Sequence, residues 1–136
     1  MKHLKFILLF LLVSILFSST RCSDNKTCHY SIIILNNSNK AIYFNISFRY
    51  PDTTLDSNPT FDSSFKIENQ SQKVDKYGRC LEGDFSYTSK IMCFIYDAQT
   101  IETTPWDTVK AKYLVLKRYD LSLKDLENIN WSVTYP

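Results

Sequence analysis

The feature that most constrains the fold is a long stretch of strand-forming residues between His29 and Tyr50, HYSIIILNNSNKAIYFNISFRY. Residues 29–35 are mostly apolar and β-branched, and turn-forming residues follow at 36–39. Residues 40–50 then alternate with period two. One face of that strand takes Ile42, Phe44, Ile46 and Phe48, and the other takes Ala41, Tyr43, Asn45, Ser47 and Arg49. The pattern predicts a β-hairpin, which Pro51 ends because proline cannot donate to a strand ladder.

The rest of the chain adds further strands and two helix starts. The predicted segments are a polar loop at 52–64, a short strand at 65–69, a loop at 70–84, one or two strands within 85–99, and strands at 113–121 and 131–136. Residues 90–97 are the best candidate for a buried central strand. Thr104 and Ser122 each precede a helix start; Pro105 follows Thr104 as the first helical residue, and Asp125 lies three residues after Ser122. The sequence therefore predicts a mainly β chain, folded as a small antiparallel sandwich-like domain with two short helices.

The N-terminus has the pattern of a secretory signal peptide. Lys2 and Lys5 precede an apolar run over residues 6–17, and small residues follow at 18–20. The run is too short to span a bilayer, which takes about 20 apolar residues. Two cleavage sites remain open: lipoprotein processing before Cys22, which we prefer, or signal peptidase cleavage after Thr20. The predicted organisation is a signal peptide at 1–21, a lipid-anchored tether at 22–28 and a single β-rich domain at 29–136.

Charge and glycine content exclude two classes of function. Removing residues 1–21 leaves 13 Lys and Arg residues against 14 Asp and Glu, so the predicted mature chain is slightly acidic. It therefore lacks the basic surface that attracts nucleic acid. Gly78 and Gly83 are its only glycines, too few for a phosphate-cradling loop.

The four cysteines are Cys22, Cys28, Cys80 and Cys93. A lipid on Cys22 leaves three thiols, so one intrachain disulfide at most can form in the oxidising compartment. We predict a Cys28–Cys80 disulfide, which joins the start of the first strand to a mid-chain loop, although spacing alone leaves the other pairings open. Cys93 lies in the apolar run IMCFIYD and is predicted to be a small buried residue.

Candidate site residues are sparse. The Pro-bounded loop YPDTTLDSNP offers Tyr50, Asp52 and Asp56 as candidate ligand contacts. Asp52, Asp56 and Asp62 could surround calcium, but their spacing does not match an EF-hand loop, and solvated turn carboxylates are the preferred interpretation. His29 neighbours Cys28, and adjacent strand residues point to opposite faces, so they do not form a catalytic dyad. We predict no metal site, no cofactor and no catalytic residue.

Several motifs resemble a group of small uncharacterised putative lipoproteins of Bacteroides-type bacteria. They are DAQ at 97–99, TTPWDTV at 103–109, YLVLKRYDLS at 113–122, the pair Asp125-Leu126 and the closing W-x-V-x-Y-P, together with NNS at 36–38 and YPDT at 50–53. The resemblance implies an exported protein, either lipid-anchored in the outer membrane or cell envelope or located in the periplasm, and it implies no activity. Asp52-Thr53-Thr54 also resembles the O-glycosylation sites of such bacteria, which makes Thr53 a candidate modification site.

These observations favour a non-enzymatic binding module. We expect it to bind an unknown envelope protein or a glycan and to contact the membrane through a lipid on Cys22. The alternative is a small secreted inhibitor of a host or competitor hydrolase, in which the Pro-bounded loop contacts the enzyme. A hydrolase that uses Asp52, Asp56 or Asp62 is the third and least favoured hypothesis.

Overall fold

The computed structural model describes residues 27–136, which form two packed β-sheets with short helices. The predicted signal peptide at 1–21, the lipidation site Cys22 and most of the tether at 22–28 lie outside the described residues. The strands are β1 Ser31–Asn36, β2 Ile42–Ser47, β3 Lys66–Ile67, β4 Ser71–Lys76, β5 Ile91–Asp97, β6 Lys117–Leu121 and β7 Ser132–Tyr135. The predicted mainly β, sandwich-like class is confirmed.

The two sheets differ in that one of them contains a parallel strand pair. In the three-stranded sheet, β1 lies between β4, with which it is antiparallel, and β7, with which it is parallel. The four-stranded sheet has the order β3-β2-β5-β6, and all its pairs are antiparallel. The predicted central strand at 90–97 is confirmed as β5, which pairs on both sides and is buried from Ile91 to Tyr96.

Within residues 27–136, four α-helices and two 3-10 turns connect the strands, rather than the two helices predicted. The helices are α1 Leu81–Asp84, α2 Ala98–Thr103, α3 Trp106–Lys112 and α4 Leu123–Asn128, and the 3-10 turns are Pro59–Phe61 and Ser63–Phe65. The predicted start at Ser122 is confirmed, because Ser122 and Asp125 form a reciprocal capping box at α4. The predicted Thr104 cap is wrong: Thr104 ends α2 by donating its N–H to the Thr100 carbonyl, and Pro105 takes the cap position of α3.

The core lies between the sheets, where one face of each strand meets the opposite sheet. Its buried residues are Ile32, Ile34, Ile42, Phe44, Ile67, Leu81, Ile91, Cys93, Ile95, Leu126, Trp131 and Val133. Cys93 is fully buried, as predicted, and burial raises the pKa of its thiol to about 12. None of the helices within residues 27–136 is long and apolar enough to cross a membrane.

The predicted hairpin over residues 29–50 is wrong, because its two strands belong to different sheets. β1 pairs with β4 and β7, whereas β2 pairs with β3 and β5. Ile32 and Ile34 of β1 and Ile42 and Phe44 of β2 share the core. Face-to-face packing of the two strands buries both apolar faces at once, which a flat hairpin would not do. The segment between them therefore crosses from one sheet to the other.

Asn36 holds this crossing in place. Its side chain is fully buried, and Nδ2 donates to the carbonyls of Lys40 at 2.7 Å, Glu68 at 3.0 Å and Ile67 at 3.3 Å. Its Oδ1 accepts from both the N–H and the hydroxyl of Ser38. The Asn36 side-chain amide thus connects the end of β1 to the crossing segment and to residues 67–68 at the end of β3.

The predicted loop at 70–84 is also wrong, since it contains β4 and α1. β4 is an edge strand with the sequence SQKVDK, and most of its side chains are exposed. Pairing with β1 holds it, and its Lys and Asp residues are typical of edges that resist further pairing. A polar edge strand carries little apolar alternation, so the sequence pattern did not indicate it.

Candidate functional site

The outer face of the four-stranded sheet is a second buried layer. Tyr43, Met92, Phe94 and Tyr96 point away from the inter-sheet core and pack with Leu55 and with residues of α2 and α3. The helices cover one part of this face, and the loop after β2 covers another. A site can therefore form where the loop and the sheet meet.

A cavity of about 270 Å³ lies at that junction, between the sheet and the loop at residues 49–57. This volume lies just below the range of about 300–1,000 Å³ that is typical of small-molecule pockets, so the cavity has room only for a small group. Its lining residues are Asn45, Ile46, Ser47, Phe48, Arg49, Thr54, Leu55, Asp56, Ser57, Phe94 and Tyr96. We call it the loop cavity. β2, β5 and the chain from Phe48 through the covering loop supply these residues.

Ionic and hydrogen bonds hold the covering loop on the sheet. Arg49 Nη2 forms an ion pair with Asp56, and Arg49 Nη1 lies 3.7 Å from Asp52 Oδ2. Asn45 Nδ2 donates to the Ser57 carbonyl at 3.3 Å. Leu55, a residue of this loop, packs into the outer layer with 5% of its surface exposed. The loop therefore forms a roof fixed at several points.

Tyr96 lies in the wall of the loop cavity, but its hydroxyl is enclosed by the packed outer layer. The residue is fully buried, and its hydroxyl has no hydrogen-bond partner among residues 27–136. Burial raises the pKa of Tyr96, so the hydroxyl stays protonated at neutral pH. A buried unpaired hydroxyl costs free energy, and such groups are rare unless something else satisfies them. Phe94 from the same strand adds an aromatic surface beside it.

Of the three candidate ligand contacts, only Asp56 is among the described residues that line the loop cavity. Tyr50 packs against the outer layer, and Lys90 lies over its ring at 5.5 Å. Asp52 accepts from the N–H of Thr54 at 3.0 Å and from its hydroxyl at 2.6 Å. The hydrogen bonds from Thr54, followed by the charge of Arg49, lower the pKa of Asp52. Thr53, the candidate modification site, lies between Asp52 and Thr54, half-buried.

Asp62 lies apart from this arrangement. It caps the 3-10 turn Ser63–Phe65 by accepting from the Ser64 N–H at 2.8 Å. The three aspartates therefore occupy turn and ion-pair positions, and they do not form one carboxylate cluster among the described residues.

Sequence reasoning missed most of the lining residues of the loop cavity. Period two did place Asn45, Ser47 and Arg49 on one face of β2, and that shared face was a usable signal. The sequence carries no such signal for Phe94 and Tyr96. An uninterrupted apolar strand is expected to be buried on both faces, but the pattern does not show which elements pack against each face.

A second cluster surrounds the predicted Cys28–Cys80 disulfide, which the structure contains. His29 Nδ1 lies 2.5 Å from Glu82 Oε1, and the His29 backbone N–H donates to the same carboxylate. Burial would raise the pKa of Glu82, but the hydrogen bonds from His29 outweigh it and lower that pKa. The His29 ring stacks on Trp131 at 4.3 Å. Sulfur and carboxylate atoms of Cys28, Cys80 and Glu82 lie within 4.8 Å of one another, but disulfide sulfurs are not the thiolates that bind metal.

The fold and site define a β-rich, two-sheet domain with a small roofed cavity on the outer face of one sheet. Comparisons with protein-family models, curated proteins and solved structures gave no match to this chain.

Proposed function

We propose that this chain is a non-enzymatic binding module whose loop cavity holds one residue of a glycan. The observation that carries the proposal is the loop cavity itself, in which the aromatic residue Phe94 and the polar residues Asn45 and Ser47 line one small space. A sugar residue suits such a lining, since each of its hydroxyl groups both donates and accepts hydrogen bonds.

The other lining groups support the same ligand chemistry. Phe94 offers an apolar ring face, which suits the C–H face of a sugar. Asn45, Ser47 and Ser57 provide uncharged hydrogen-bonding groups around it. Apolar walls with a few fixed polar groups are typical of small-molecule sites.

The carboxylates near the loop cavity favour binding over hydrolysis. Asp56 is paired with Arg49, and the pKa of Asp52 is lowered, so neither is suited to donate a proton at neutral pH. A glycosidase needs one carboxyl group whose pKa is raised. The inhibitor hypothesis stays an untested prediction; we prefer the cavity because Leu55 and Arg49 turn the Pro-bounded loop inward.

Filling the loop cavity is expected to abolish glycan binding. Ser57 is exposed, lines the cavity and accepts the Asn45 hydrogen bond through its backbone, so Ser57→Trp adds bulk at the site without removing that bond. We expect the variant to lose at least about tenfold in affinity for any sugar that the natural chain binds, because each 1.4 kcal/mol of lost binding is a tenfold change. The measurement is binding to an array of purified mono- and oligosaccharides.

Ser63→Trp is the matched control, since Ser63 is exposed in the same connection but does not line the loop cavity. It should bind like the natural chain. A natural chain that binds no sugar on the array, yet captures a protein from envelope extracts, would contradict the glycan proposal.

We also propose that the chain is exported and anchored through a lipid on Cys22. The Cys28–Cys80 disulfide supports export, because disulfides persist in oxidising compartments. The intact mass of protein taken from native membranes is expected to begin at Cys22 and to include a diacylglycerol and an acyl chain. An unlipidated mass beginning at Arg21 would instead indicate cleavage after Thr20 and a soluble exported protein.

A further inference from the structure

The Glu82 carboxylate lies against one sulfur of the Cys28–Cys80 disulfide. Its Oε2 atom is 3.2 Å from Cys80 Sγ, and one of its oxygens lies within 4.8 Å of both sulfurs. A bridged sulfur carries no proton, so this contact is not a hydrogen bond and does not satisfy the negative charge of the carboxylate. The bridge therefore has an anion beside its Cys80 end.

His29 holds the carboxylate in that position. Its backbone N–H donates to Glu82 Oε2 at 2.9 Å and to Oε1 at 3.1 Å, and its Nδ1 lies 2.5 Å from Oε1. The His29 ring is itself stacked on the buried Trp131. Burial opposes ionisation of Glu82, but the hydrogen bonds from His29 outweigh it and lower its pKa, so the group is an anion at neutral pH. Only 12% of its side chain is exposed, so water screens its charge less than that of a surface acid.

The two ends of the bridge differ in access. Cys28 is exposed, whereas Cys80 is half-buried at the start of α1. A disulfide is opened by a thiolate that attacks one of its sulfurs, and the rate depends on access to that sulfur. An incoming thiolate is also negatively charged, so it is repelled by Glu82 at the Cys80 end. Thiols therefore reach the bridge more readily at Cys28.

Attack at Cys28 places negative charge on Cys80. The thiolate forms a new S–S bond to Cys28 Sγ, the Cys28–Cys80 bond breaks, and its electron pair leaves with Cys80. Exchange is slower when the leaving sulfur is a poorer thiolate, and a carboxylate 3.2 Å away disfavours that thiolate. Arg79, the cation next to Cys80 in sequence, is paired through Nε with both Asp84 oxygens at 2.9 Å. α1 is a single turn, so its dipole offsets little of the charge.

We propose that Cys28 is the site at which thiols attack this domain, and that Glu82 slows the exchange by opposing the negative charge that forms on Cys80. A monothiol then forms a mixed disulfide on Cys28. A dithiol completes the reduction when its second thiolate displaces Cys28 and the reagent is oxidised to its own disulfide. The inference does not depend on what the loop cavity binds.

The role of Glu82 is tested by the rate at which dithiothreitol reduces the folded chain at fixed pH. Glu82→Gln removes the charge but keeps the shape of the side chain and an oxygen that accepts from the His29 N–H. We expect it to be reduced at least about tenfold faster than the natural chain. Glu68→Gln is the matched control, since Glu68 lies beside Asn36 at the opposite end of β1 from Cys28, with 68% of its side chain exposed. Its reduction rate should equal that of the natural chain.

The direction of attack is tested on the natural chain, so it does not require that a variant folds. The chain is treated briefly with 2-mercaptoethanol, the released thiol is alkylated with iodoacetamide, and the peptides are identified by mass. The mercaptoethanol adduct is expected on Cys28 and the alkyl group on Cys80. In urea that unfolds the chain, both cysteines should carry adducts in similar amounts, because neither burial nor the held carboxylate then distinguishes them. The rate difference between the natural chain and Glu82→Gln should also largely disappear there.

Three results would overturn the inference. Equal reduction rates for the folded natural chain and Glu82→Gln would remove the shielding role of Glu82. A faster rate in Glu82→Gln that is fully explained by a lower urea midpoint would do the same, because protection would then come from fold stability alone. An adduct found mainly on Cys80 in the folded natural chain would contradict attack at Cys28.

Discussion

Replacing both Cys28 and Cys80 with serine is expected to lower the free energy of unfolding by about 4 kcal/mol, the loop-closure value for a bridge of this span. The bridge joins residues 52 apart in sequence, and the closed loop contains β1 to β4. Opening it gives the unfolded chain more conformational freedom. Domains of this size have about 5–15 kcal/mol of stability, so the loss is a large fraction of the total. Urea unfolding followed by tryptophan fluorescence measures it.

The natural chain in a reducing agent is the matched comparison for this prediction. It should lose nearly the same stability as the double serine variant, and the reducing agent should change the variant little. Cys93 is buried outside the bridge and is present in both proteins, so it does not confound the comparison. Equal urea midpoints for the natural chain with and without reducing agent would show that the bridge does not stabilise the domain.

Local features of the fold could be predicted from the sequence because neighbouring residues determine them. The capping box at Ser122 needs only Asp125 three residues on. The burial of β5 follows from an uninterrupted apolar run, and the position of Cys93 follows from that run as well. Each of these depends on one segment, so one segment was enough to reveal it.

Strand partners could not be predicted in the same way. Apolar residues at every second position of β1 and β2 show which side chains face a core. The same pattern is expected whether two strands pair within one sheet or pack face to face from different sheets. The parallel pairing of β1 with β7 joins Ile34 to Val133, which lie near opposite ends of the described sequence. No local pattern encodes that pairing, and the predicted hairpin failed for this reason.

The candidate site shows the same division between local and long-range information. Asn45 and Arg49 were predicted to share one face, and both line the loop cavity although β2 ends at Ser47 and Arg49 follows it. Their meeting with Phe94 and Tyr96 depends on the register of β2 against β5, in which Asn45 lies opposite Phe94. The unpaired state of the Tyr96 hydroxyl depends further on packing beneath α3. The charged residues of the loop were thus visible in sequence, while the aromatic wall of the loop cavity was not.

Asn36→Ala is expected to lower the free energy of unfolding by about 3 kcal/mol, although the residue lies in a polar, turn-like sequence. Its buried amide bonds to three carbonyls and to Ser38, and each net bond contributes about 1 kcal/mol while a buried group left unpaired costs more. Alanine would leave the carbonyls of Ile67 and Glu68 without this donor where the chain passes between the sheets. Urea unfolding with unchanged slope is the measurement.

Asn37→Ala is the control that separates this role from general turn composition. Asn37 is exposed, and its described hydrogen bonds to Tyr135 and Gln70 use its backbone, which alanine keeps. Its stability should change by less than about 0.5 kcal/mol. Asn36→Asp keeps the acceptor for Ser38 but places a carboxylate against three carbonyl oxygens, so it should destabilise at least as much as alanine. Equal effects at positions 36 and 37 would mean that the crossing between the sheets does not depend on the buried amide.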